Sequence, residues 1–131
     1  MQKATVGPRP LHFAAFRGGI RSVNALLRAG ANINAKDNDK MPPLCVAIVN
    51  RHSNLVGTLI DAGGDINLKN NRGDTPLHLA AFMGDKRSVN TLLRAGANID
   101  EKDNHRNTSF EIALERRHSD IAETFFYNLM K

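Results

Sequence analysis

A period of 33 residues runs through nearly the whole chain and constrains its fold more than any other feature. The stretch Arg9-Pro10-Leu11-His12-Phe13-Ala14-Ala15-Phe16-Arg17-Gly18 returns 66 positions later as Thr75-Pro76-Leu77-His78-Leu79-Ala80-Ala81-Phe82-Met83-Gly84. Pro42-Pro43-Leu44-Cys45-Val46-Ala47-Ile48 lies midway, and Thr108-Ser109-Phe110-Glu111-Ile112-Ala113-Leu114 follows one further step on. A unit this short cannot bury its own apolar face, so its copies must stack on one another. Four copies, at about 4–36, 37–69, 70–102 and 103–131, fill the 131 residues, and we expect a single domain over 1–131. Residues 7–38 match 73–104 at 23 of 32 positions, whereas copies two and four share chiefly Arg51-His52-Ser53 and Arg117-His118-Ser119. That asymmetry points to duplication of a 66-residue pair.

In the third copy, Thr75 suits a helix N-cap and Pro76 the first helical position, where its missing N–H has no helical partner. Leu77, Ala80 and Ala81 give a small apolar stripe, and Gly84 stops the helix by permitting a left-handed C-cap. Val89, Leu92 and Leu93 then recur at helical spacing as the buried side of a second helix, which Gly96 ends. Ala97 to Asn104 is polar except for Ile99 and reads as a loop or hairpin into the next unit. The expected fold is therefore all-α: stacked helix-turn-helix units forming a solenoid, with projecting β-hairpin loops.

The composition suits such a core. Apolar residues make up 41% of the chain, no apolar run is long enough to span a membrane, and the start MQKATVGPRP lacks the apolar segment of a secretory signal. The single cysteine, Cys45, leaves no internal disulfide and no Cys-based zinc site. A net charge of +5 favours acidic partners, while the absence of Trp and the single Tyr argue against a base-stacking surface for single-stranded nucleic acid.

The segments Gly73-Asp74-Thr75-Pro76-Leu77-His78-Leu79-Ala80-Ala81, then Val89 with Leu92-Leu93, then Gly96-Ala97-Asn98-Ile99, resemble an ankyrin repeat, and about 125 residues carry the resemblance in four copies. Departures from the family pattern fall at Arg9, at Lys40-Met41-Pro42-Pro43-Leu44-Cys45 and at Arg106-Asn107-Thr108-Ser109-Phe110-Glu111. Thr108 and Glu111 keep capping-box spacing. Arg51 and Arg117 stand where copies one and three have Gly18 and Gly84, so those turns either bear left-handed strain or take another geometry. Copy two is expected to be the softest interior unit. The resemblance implies that His12 and His78 hydrogen-bond the hairpin and helix start, and that the protein acts inside cells, in cytoplasm or nucleus, or within a host cell if bacterial or viral. Asn34 and Asn67 also resemble sites that asparaginyl hydroxylases modify in such repeats.

No catalytic constellation stands apart from the repeat pattern: no nucleophile with a base, no Gly-rich phosphate loop and no separate acid pair. We expect no enzyme activity, no cofactor and no metal. His52 and His118 occupy equivalent turns two repeats apart, too far to share a metal, and Cys45 takes the His12 position as a packing residue.

By the resemblance, partners meet the hairpin tips and the last turn of each first helix. The corresponding pairs are Phe16-Arg17, Val49-Asn50, Phe82-Met83 and Glu115-Arg116, so Phe16, Val49, Phe82 and Met83 form an apolar stripe flanked by Arg17 and Arg116. Lys36, Lys69 and Lys102 recur at 33-residue steps and, with Lys40, Arg72 and Arg106, give a basic edge that Asp37, Asp39, Asp74 and Asp103 partly offset. A charged hairpin edge also serves solubility. The expected partner-binding set is Phe16, Arg17, Lys36, Val49, Asn50, Lys69, Arg72, Asp74, Phe82, Met83, Lys102, Arg106 and Arg116. The expected function is a non-enzymatic protein-interaction module, an adaptor, scaffold or inhibitor holding an acidic segment by an apolar anchor. The alternative is binding of nucleic acid or another anionic surface through basic edges, including Arg21, Arg28, Arg87 and Arg94 on the convex side.

The C-terminal stretch Ile121 to Met130 is unusually apolar for a solenoid end. Phe125 and Phe126 correspond to Leu92 and Leu93 and are expected to be buried; Tyr127, Leu129 and Met130 are not explained in this way. Three arrangements would account for the excess: a tail folded back as a cap, a longer parent protein, or an end-to-end homodimer.

Overall fold

The computed structural model describes residues 9–131, in which eight helices follow one another as four antiparallel pairs. The pairs are α1 (Pro10–Arg17) with α2 (Ile20–Arg28), α3 (Pro43–Val49) with α4 (Ser53–Asp61), α5 (Pro76–Met83) with α6 (Lys86–Arg94), and α7 (Ser109–Glu115) with α8 (Ser119–Leu129). The first helices form one layer, α1 against α3, α3 against α5 and α5 against α7, and the second helices form another. No helix among the described residues is long and apolar enough to cross a membrane. The hairpin expected ahead of α1 lies outside the described residues.

Local chemistry starts several of the helices where the sequence indicates. The Thr75 hydroxyl accepts from His78 N–H, and His78 Nδ1 accepts from Thr75 N–H at 3.1 Å, closing a reciprocal cap at the start of α5. Thr108 and Glu111 make the same box at α7. Pro10, Pro43 and Pro76 each open a first helix. Asp85 caps α6 by accepting from both the backbone and hydroxyl of Ser88. The second copy, like the first, lacks a side-chain cap on either helix. Burial compensates, since Pro43 to Ile48 are all sequestered in the centre of the stack.

The projecting loops are tight turns, with no strand assigned among the described residues. In each, one carboxylate or amide oxygen accepts two backbone N–H groups: Asp37 from Asp39 and Met41, Asn70 from Arg72 and Asp74, Asp103 from His105 and Asn107. Two backbone bonds close each turn, as Asp37 N–H to Met41 O and Lys40 N–H to Asp37 O do in the first, and the tips are stitched sideways by Asn71 N–H to Asp39 O and Asn104 N–H to Arg72 O. The expected hairpins are thus present as Asx-nucleated turns without a β-ladder. The first and third are further anchored by a histidine of the preceding unit. His12 Nε2 donates to Met41 O at 2.8 Å and His78 Nε2 to Asn107 O at 3.0 Å.

The turn between paired helices shows why the sequence repeats every 66 residues as well as every 33. Gly18 and Gly84 are left-handed, and a Cβ at either would lie 2.5 Å from His52 Nδ1 or 2.7 Å from His118 Cε1. Each imidazole is held there by donating to a carbonyl of the earlier unit, His52 to Phe16 O and His118 to Phe82 O. A glycine in an odd copy therefore admits a histidine from the following even copy. Even copies place Arg51 and Arg117 at the corresponding turn with φ of 66° and 62°, so of the two geometries the strained left-handed one is adopted. These four imidazoles serve four separate carbonyls, and no grouping of three metal-ligating side chains occurs among the described residues.

Cys45 is fully buried, and burial together with the Asp74 carboxylate pushes its thiol up to about 12. The thiolate is absent at neutral pH, in keeping with a packing residue.

Three outcomes follow from these contacts. Gly84→Ala should lose about 1–2 kcal/mol from the left-handed backbone, plus a clash that disappears in a His118→Ala background. Urea denaturation of the four members of this cycle should therefore be non-additive, and strict additivity would rule out the Gly–His fit. Arg9→Thr should raise stability by about 1 kcal/mol, because buried His12 Nδ1 has no partner among the described residues, whereas the Thr75 hydroxyl lies 2.8 Å from His78 Nδ1. In the folded protein at pH 8, Cys45 should resist iodoacetamide and react fully only once the chain is unfolded; rapid native-state labelling would contradict its burial.

Candidate functional site

The C-terminal turns of α5 and α7 and the two hairpin tips above them enclose a hollow of about 660 Å³. Its apolar part comes from Val49, Leu79, Phe82, Met83 and Ile112, and its polar rim from Arg72, Asp74, Asp103, His105, Glu115 and Arg116. A smaller adjoining hollow of about 350 Å³ shares Val49, Arg72, Asp74 and Leu79, so the two form one trough beneath the hairpins. Helical spacing explains the apolar floor. Leu79 precedes Phe82 and Met83 by three and four residues, and Ile112 precedes Glu115 and Arg116 likewise, which places each set on one helix face.

Local packing does not account for the position of Phe82. It is 45% exposed, although its neighbours Ala80 and Ala81 are buried. The Arg116 guanidinium lies 4.0 Å from its ring centroid, covering one face by a cation–π contact. The trough carries mixed charge. Partial burial pushes the Asp74 carboxyl above the usual carboxylate range, reinforced by Asp103 and opposed by His78 and Arg72.

Of the residues expected from sequence, the trough gathers Val49, Arg72, Asp74, Phe82, Met83 and Arg116. Phe16 is exposed but does not line it, so the apolar stripe is shorter than the repeat register suggested. Arg17 instead borders a separate hollow at the N-terminal end, 5.8 Å from the Phe13 ring. Asn50 turns back to donate to Val46 O at the end of its own helix. The lysine series is largely internal: Lys36 donates to Lys69 O, and Lys69 donates to Lys102 O and pairs with Glu101 at 2.8 Å. That contact holds the Glu101 carboxyl below its ordinary value. Lys102 and Arg106 are exposed beyond this chain of contacts. Glu115, paired with Arg116 by register but left out of the expected binding set, also lines the trough, as do His78, Leu79, Asp103, His105, Asn107 and Ile112; helical spacing from Phe82 and Arg116 was the signal for Leu79 and Ile112. Asn34 is spent between units, accepting from Asp65 N–H at 2.7 Å and donating to Gly63 O, whereas Asn67 is exposed.

At the C-terminal end Phe125 is buried and meets Phe110 edge-on, but Phe126 is 50% exposed, against expectation. Its counterparts Ile60 and Leu93 are partly covered by a following unit, and α8 has none among the described residues.

A family model of ankyrin repeats in three copies matches residues 11–103 and again 44–130. Rabankyrin-5 of Mus musculus is 44% identical over 55 residues, and that of Homo sapiens 40% identical over 55. In each case the match covers 42% of this chain and 5% of the relative, so the chain spans a small fraction of these relatives' length. With four stacked helix pairs, reciprocal caps and hairpins tied to the preceding unit's histidine, the chain belongs to the ankyrin-repeat family.

Proposed function

We propose that this chain binds an extended segment of a protein partner in the trough between α5 and α7, without catalysing a reaction. Ankyrin repeats are protein-interaction modules, and the finer reading rests on Phe82: a large apolar side chain held out of the core, at the mouth of a hollow whose floor is already apolar. An aliphatic or aromatic side chain of the partner fills the space between Leu79, Phe82, Met83 and Ile112. Acidic residues flanking that anchor face Arg72 and Arg116, with Lys102 and Arg106 extending the positive field along the edge. Asp74, Asp103 and Glu115 limit how much acidity the partner can carry close to the anchor. The stacked helices present these groups rigidly, so little conformational entropy is lost on binding, and the chain works as an adaptor or as an inhibitor that occludes a partner's surface.

Selection of a random peptide library on the folded chain tests this reading. Enriched sequences should carry an apolar anchor flanked by Asp or Glu, and Phe82→Ala with Met83→Ala should weaken their binding by about tenfold or more. Arg116→Ala should weaken it less, since it removes one charge while uncovering the Phe82 ring. Enriched peptides that ignore Phe82→Ala would refute the trough. If instead the chain retained nucleic acid, with affinity falling steeply in salt and indifferent to Phe82, the convex arginines would be the site.

A further inference from the structure

Among the described residues, the surfaces that hold adjacent helix pairs together continue, uncovered, at both ends of the stack. Ile48 of α3 is 0% exposed beneath the third pair, whereas its counterpart Leu114 of α7 is 55% exposed beside the half-open Phe126. At the other end Pro10, Phe13, Ala14, Ser22, Ala25 and Leu26 line an open hollow of about 430 Å³, with Phe13 52% exposed. In the third pair the counterparts of these residues, Pro76 to Leu92 in the same register, are buried or half-buried against the second pair. Among the described residues, the third pair has a neighbouring pair stacked on this face and the first pair has none.

We propose that a second copy of this chain supplies that neighbour, head to tail, with α7 and α8 of one copy seated on α1 and α2 of the next. Two features select this occupant. The receiving face repeats one that already accepts such a partner: Pro10, Ala14, Ser22 and Leu26 are identical to Pro76, Ala80, Ser88 and Leu92, which pack on α3 and α4. Under the 66-residue duplication, α7 and α8 are the counterparts of α3 and α4, so the contact between copies falls in the same register as the contact between the second and third pairs, with Leu114 in the place of Ile48 and Phe126 in that of Ile60. Charge is the second feature. Arg116 lies over Phe82, the residue one register position earlier in the preceding pair. The same register sets Arg17 of the second copy over Glu115, an ion pair across the junction.

The two faces differ, so the association is heterologous and extends from copy to copy instead of closing as a two-fold dimer. It stands independently of the trough reading, and it would carry the trough and hairpin edge onward from one copy to the next.

Sedimentation velocity of the full 131-residue chain, from micromolar to millimolar concentration, provides the test. The native chain should form species larger than a dimer as concentration rises. Leu114→Glu with Phe126→Glu blocks the outgoing face and Phe13→Glu with Ala25→Glu the incoming one. Each should lower self-association about 100-fold, and unchanged circular dichroism is expected because all four side chains are exposed. Mixed together, the two variants should form a 1:1 dimer and stop there, since each retains the face the other needs. Glu115→Arg should weaken assembly about tenfold, and Arg17→Glu added to the same chain should restore it. A native chain that stays monomeric throughout overturns the proposal. So does an incoming-face variant that still dimerises, which would mean tail-to-tail pairing, or a mixture that does not associate.

Discussion

No helix pair in this protein has enough apolar surface of its own to fold alone; everything else depends on one pair stacking on the next. The residues at the centre of that contact are small or aliphatic: Ala15, Ala47, Ala80, Ala81 and Ala113 let the first helices approach closely, while Leu55, Leu59, Leu92 and Phe125 fill the space between second helices. Because contacts are between neighbours, stability accumulates unit by unit, and among the described residues the two outer pairs each keep one uncovered side.

Stacking of side chains alone would leave the hairpins free to wander. They are fixed by polar contacts that run from each unit to the next: histidine to the following hairpin's carbonyl, lysine to the following lysine's carbonyl, and backbone bonds between tips. These contacts orient the trough. Arg72, Asp74, Asp103 and His105 project over α5 and α7 because Asn70 and Asp103 each lock a turn at the same distance from the helix. Where a polar contact is missing, packing takes over, as at Cys45, where a buried thiol replaces the histidine and the surrounding helix is sealed along its length.

The trough was only partly legible in the sequence. Phe82, Met83, Val49, Arg72 and Arg116 could be placed on the concave side because the period fixes which residue follows which around the helix. Phe16 occupies the same register position as Phe82, yet it stays outside the hollow. The lysines at 36, 69 and 102 looked like an exposed series because period alone cannot show where a long flexible side chain ends; two of them fold onto the next hairpin. Phe126 shows the complementary failure. Its register position predicted burial, but register describes an interior unit, and among the described residues no following pair covers α8.

The sequence by itself determined the unit, its 33-residue period, the caps, the helix stops and the buried side of each helix, since these depend on residues near one another in the chain. Tertiary structure decided what depends on residues about one period apart: that Gly18 and Gly84 make room for His52 and His118, that Arg51 and Arg117 accept left-handed strain, that a single trough forms over α5 and α7, and that Arg116 covers Phe82. Side-chain direction across a stacked interface is set by the volume and hydrogen-bonding groups of the neighbouring unit, and those exist as a surface only once the units have packed.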